Sequence, residues 1–109
     1  MNNMERLDIR RVELEVEYMS VLRTALANCA SGNWGLFGQN DHRWSKSEAA
    51  AALEELEEVS SAIESLRARL AMGPFDLHRD FLAARGRTGP NSLGEPKLAQ
   101  AWLARLGPA

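Results

Sequence analysis

Asp41-His42-Arg43 is a compact set of titratable side chains, and a histidine with an ordinary pKa of about 6.5 suits proton transfer near neutrality. Catalysis needs more than a proton carrier. No nucleophile or second base stands beside His42 at a recognisable spacing, whereas Asn40 and Asp41 are turn formers and Arg43 can reach an acidic band further along the chain. A metal site would have to draw on Cys29, His42, His78, Asp41 and Asp80. Among these, no two nitrogen or sulfur donors stand one helical turn apart or in a short knuckle, the spacings that let one segment present two ligands. Neither a metal nor a cofactor is expected. Cys29 is the only cysteine, so the chain forms no internal disulfide, and its place at the end of an apolar stripe marks it as a buried thiol.

His78-Arg79-Asp80 shares three letters with the catalytic loop of protein kinases, but where that motif needs an asparagine this chain has Arg85, and the glycine-rich loop is missing. A single GLFG carries no weight as a repeat. The sequence also lacks a phosphate-cradling glycine motif, a lipase-type elbow and the paired carboxylates of a glycosidase. No catalytic set remains, and a non-enzymatic protein is expected.

The elements that hold these residues are helical. Ile9, Val12, Val16, Met19, Leu22, Leu26 and Cys29 fall three or four positions apart and predict a long helix over residues 5–30. Leu7, Leu14 and Val21 form a second apolar seam beside it. Leu53, Leu56, Val59, Ile63, Leu66 and Leu70 predict a second helix over 46–72, begun by the capping-box sequence Ser45-Lys46-Ser47-Glu48 and ended by Gly73-Pro74. Glu54, Glu55, Glu57 and Glu58 make a solvated acidic band on it. Folded back on each other, the two stripes set Ile9 near Leu66, Val12 near Ile63, Val16 near Val59, Met19 near Leu56 and Leu22 near Leu53. The same register brings Arg10 and Arg11 to Glu64 and Asp8 to Arg67. Two shorter helices follow, one from Pro74 to Gly86 and one opened by Pro96 and carrying Leu98, Ala101, Trp102 and Leu106. The expected fold is all-α, a small bundle in which an antiparallel hairpin of two long helices is joined by two short C-terminal ones.

A chain of 109 residues with 45% apolar and 26% charged residues fits a single helical domain, 1–109, of an ordinary globular protein. No apolar run is long enough for a membrane span, and MNNMERLDIRR has no apolar block of the kind a secretory signal needs, so a cytoplasmic location is expected. The net charge of -2 hides an asymmetry: residues 1–72 carry 8 basic and 12 acidic side chains, residues 73–109 carry 5 and 3. That surplus is too small for a nucleic-acid footprint, and the connection from Gly86 to Glu95 is too long for a helix-turn-helix. The second seam of the first helix calls for a further packing partner, and a homodimer completing a four-helix core is expected.

Residues 31–44 are longer than a tight helical connection requires, and they crowd Trp34, Phe37 and Trp44 among glycines and polar residues. The aromatic residues suit a cap over the open end of the bundle. Gln39, Asn40, Asp41, His42 and Arg43 are then left outside as a contact surface, and the whole set with Trp34, Phe37 and Trp44 is the candidate interaction loop. The sequence thus describes a small interaction or scaffold protein acting by self-association and protein contacts, with a nucleic-acid-binding regulator using the C-terminal helices as the competing reading. If the aromatic residues cap the core, Trp34→Ala and Trp44→Ala each lose roughly 3 to 5 kcal/mol in denaturant melts. Melts that overlay the parent would make both tryptophans binding residues instead.

Overall fold

The structure, a computed structural model, describes residues 2–33, 35–37, 46–87 and 95–107. Four helices follow in order: α1 Asn3–Ala30, α2 Lys46–Arg69, α3 Asp76–Arg87 and α4 Glu95–Leu106, with no strand among the described residues. The fold is a small all-α bundle.

Local chemistry sets the helix ends. Asn2 caps α1, its side-chain oxygen accepting the Glu5 amide at 2.8 Å, which satisfies one of the four amides that the first turn leaves without partners. Gly32 adopts φ 82° just after the last turn, and the Asn33 amide reaches back to the Asn28 carbonyl at 2.8 Å, the six-to-one closure that satisfies a carbonyl at a helix end. The corresponding closure of α2 uses Ala71 at φ 58°, with the Met72 amide on the Arg67 carbonyl at 2.8 Å. The helix therefore ends at Arg69, earlier than the Gly73-Pro74 signal suggests. The capping-box serine and glutamate of α2 lie outside what is described of that helix start.

Helices α1 and α2 pack closely and run antiparallel. Glu15 meets Arg67 at 2.9 Å near one end, while Ser20 and Thr24 share a shallow groove with Ala51 and Glu55 further along. The stripe of α2 is the one read from sequence: Leu56, Val59 and Ile63 are buried, and Leu53 and Leu66 pack against them. Helix α1 differs. Its buried residues are Leu14, Tyr18, Leu22, Ala25, Leu26 and Cys29, with Val21 packed against them, while Ile9 and Val12 are 46% exposed and Val16 is 64% exposed. The expected contacts of Ile9, Val12 and Val16 with α2 are therefore not made.

Helical geometry explains the error. A step of three residues falls about 60° short of a full turn and a step of four overshoots by about 40°. The stripe from Ile9 to Cys29 contains more threes than fours, including two in succession from Val16 through Met19 to Leu22, so it winds around α1 and only its last third faces the core. The predicted ion pairs shift accordingly. Arg67 pairs with Glu15 rather than Asp8, Arg11 bridges Asp8 and Glu15 within α1, and Glu64 accepts the Phe75 amide at 2.6 Å.

The remaining elements close the bundle around α1. Helix α4 lies along α1 and α3 touches α2, and Leu36, Phe37, Phe75, Phe81, Ala99 and Trp102 join the core. Because Leu22 is fully buried and Val16 faces solvent, Leu22→Ala is expected to cost roughly 2 to 5 kcal/mol. Val16→Ala should stay within about 0.5 kcal/mol of the parent. Denaturant melts of the two variants check the assignment of faces, and equal losses would contradict it.

Candidate functional site

Among the described residues, a chain of titratable side chains in the interior joins three helices. Tyr18 on α1 stands 2.8 Å from Nδ1 of His78 on α3, and Nε2 of the same ring stands 2.8 Å from Oε2 of Glu57 on α2. The network sets the protons. A carboxylate accepts, so Nε2–H donates to Glu57, and in that tautomer of the imidazole Nδ1 accepts from the tyrosine hydroxyl. The rings of Phe75 and His78 both stand edge-on to Tyr18, with centroids at 5.0 and 5.6 Å.

The order tyrosine, histidine, carboxylate looks like catalytic machinery, but access decides against it. Tyr18 is fully buried and His78 nearly so, and only Glu57, with 64% of its side chain exposed, reaches water. Burial, reinforced by the negative charge of Glu57, pushes the Tyr18 hydroxyl far above its ordinary pKa. A group that no substrate can reach and that does not ionise serves neither as nucleophile nor as general acid or base. Among the described residues no cluster of three or more histidine, cysteine, aspartate or glutamate side chains is placed to hold a metal ion.

A second polar cluster closes the joint between α2 and α3. Arg67 donates from Nε to Glu15 at 2.9 Å and from Nη1 to the carbonyls of Gly73 at 3.2 Å and Pro74 at 3.4 Å, with its guanidinium 5.4 Å from the Phe75 ring centre. Burial alone would raise the Glu15 pKa, but hydrogen bonds and charge from Arg67 and Arg11 outweigh it and hold the carboxyl below its ordinary value.

The outer face of α1 carries an open groove. Exposed Ile9, Val12 and Val16 form an apolar line, and a groove of about 630 Å³ runs beside it, lined by Val12, Val16 and Met19 together with Arg11, Glu15 and Arg23. Nη2 of Arg23 donates to the Leu106 carbonyl at 3.1 Å, so the groove begins where α4 ends.

No known family, curated protein or solved structure matches the chain. The functional reading therefore rests on the geometry alone.

Of the residues in the candidate interaction loop, Phe37 is described and lies in the core, edge-on to Phe81 at 5.9 Å, which in turn stands edge-on to Trp102 at 5.6 Å. The Leu36 carbonyl before it accepts from Arg85 Nε at 2.6 Å. Trp34, Gln39, Asn40, Asp41, His42, Arg43 and Trp44 lie outside the described residues. Sequence reasoning missed Tyr18 and Glu57 as partners of His78. Tyr18 stands four residues from both Leu14 and Leu22, a spacing that could have placed it on the buried face.

Tyr18 is the only tyrosine, so its state can be read without interference. Its folded pKa is raised and the unfolded value is about 10, so folding favours the neutral form. That contribution is complete below about pH 10 and is lost as pH rises through the folded value. In an alkaline titration, phenolate absorbance is expected to appear only as circular dichroism reports unfolding. Ionisation near pH 10 in the intact fold would show the hydroxyl to be reachable. Tyr18→Phe leaves Nδ1 of His78 buried without its donor and should cost roughly 1 to 3 kcal/mol.

Proposed function

We propose that this chain is a cytoplasmic, non-enzymatic helical interaction module that acts by self-association and protein contacts through the outer face of α1. The observation that carries the reading is the line of Ile9, Val12 and Val16, 46 to 64% exposed along a groove on a helix whose opposite face is packed into the core. Isolated apolar side chains on a surface need no explanation, but a contiguous line of them beside a groove marks a place where another surface sits. The tyrosine and histidine of the interior chain are closed to solvent, which favours binding over catalysis. On sequence grounds the polar run Gln39–Arg43 is a second contact of the same module.

The basic residues of the C-terminal helices give the nucleic-acid reading little support. Arg79 pairs with Asp76, Arg105 pairs with Asp80 and lies over the Trp102 ring at 4.5 Å, and Arg85 binds the Leu36 carbonyl. Guanidinium groups matched by carboxylates of their own chain, as Arg79 and Arg105 are, leave little net positive charge for phosphate.

A photo-cross-linking residue at position 16 in the full chain, compared with one at the exposed Ser61 of α2, tests the proposal in cells. Protein adducts are expected from position 16 in clear excess over position 61. Equal yields, or none from either, would overturn it. Retention on oligonucleotides that falls steeply with salt would favour the nucleic-acid reading instead.

A further inference from the structure

We infer that the outer face of α1 pairs with the same face of a second copy of this chain, antiparallel and about a two-fold axis, a deepening that rests on the interaction reading above. Along this face Glu5, Ile9, Val12, Val16, Met19 and Arg23 recur at alternating steps of four and three, the spacing of a seam that receives another helix. The seam is self-complementary when reversed. With Val12 opposite Val16 of the second copy, Ile9 falls opposite Met19 and Glu5 opposite the positive charge of Arg23, and the two-fold axis repeats each pair.

Charge selects this direction over the alternative. A parallel pair in register would set Glu5 beside Glu5 and Arg23 beside Arg23. The antiparallel pair matches opposite signs there. Glu15 also borders the groove, but Arg11 and Arg67 already neutralise it, so it adds little repulsion. One like-charged contact remains: exposed Glu13 lies close to the axis and meets its own copy. The seam also continues an existing helix contact, since α4 covers α1 as far as Arg23 and the open groove starts there.

Sedimentation equilibrium of the full chain across micromolar concentrations, with surface variants, tests the pairing. A dimer is expected, weakened about tenfold or more by Val16→Asp, which places a carboxylate in the seam. Glu5→Arg, which sets like charge against Arg23 of the second copy, should weaken it. Glu13→Gln removes the like-charged contact and should tighten it. In an equimolar mixture of Val12→Cys and Val16→Cys chains, oxidation should favour the mixed disulfide between positions 12 and 16 over either symmetric one. Three outcomes overturn the inference: a monomer at all concentrations, a dimer indifferent to Val16→Asp, or symmetric disulfides in excess. A monomer whose position-16 cross-links reach a different protein would overturn the pairing and leave the interaction module standing. A monomer with no adducts would remove both.

Discussion

A hydroxyl taken out of water must keep a hydrogen-bond partner, and the Tyr18 hydroxyl has His78. Leaving such a group unpaired costs roughly 1 to 3 kcal/mol, a sizeable part of the 5 to 15 kcal/mol by which a domain is typically stable. The partner lies on α3, and its second nitrogen is held by Glu57 on α2. One imidazole thus ties the rotation of α1 to the docking of α3 and to the position of α2. Turning α1 to bury Ile9 and Val16 instead would carry Tyr18 away from His78 and strand both polar groups.

Around that chain, the joints between helices are closed by cationic side chains bound to carbonyls. Arg67 holds Gly73 and Pro74 between α2 and α3, Arg23 holds Leu106 at the end of α4, and Arg85 holds Leu36 after α1. Turns and helix ends expose carbonyls that no ladder satisfies, and a guanidinium offers several donors in a fixed plane. Glu15 shows the balance involved. Its partial burial disfavours the charge, two arginines more than compensate, and the carboxylate anchors Arg67 in the position that serves the turn.

The helices were legible because their signals are local. The three-to-four periodicity gave the class and the antiparallel hairpin, and the stripe of α2 faces inward as its leucines indicate. The buried face of α1 was misread because two apolar faces compete there, and apolar residue type alone cannot rank them. What ranks them is a contact between residues 18 and 78, which no window of sequence contains. His78 was noticed only in the company of Arg79 and Asp80, yet its partners come from two other helices. On the outer face, Ile9, Val12 and Val16 were recognised as part of one line but assigned to contacts with α2 that they do not make.

The length of α1 leaves that line open. Its 28 residues span about 42 Å from the rise per residue, whereas the 12 residues of α3 or α4 span about 18 Å. Helix α4 ends at Arg23, so among the described residues it does not extend over the groove beside the N-terminal half of α1. Exposed valines are poor choices there. A β-branched side chain loses rotamer freedom in a helix, and without burial nothing offsets the loss. Leucine or glutamate would serve an exposed helical face better by propensity alone. Val12 and Val16, one turn apart, bordered by Glu13 and Glu15 and with Glu5 and Arg23 further along the same face, therefore fit a face whose apolar groups are covered by another helix and whose charged borders discriminate among the helices that approach it.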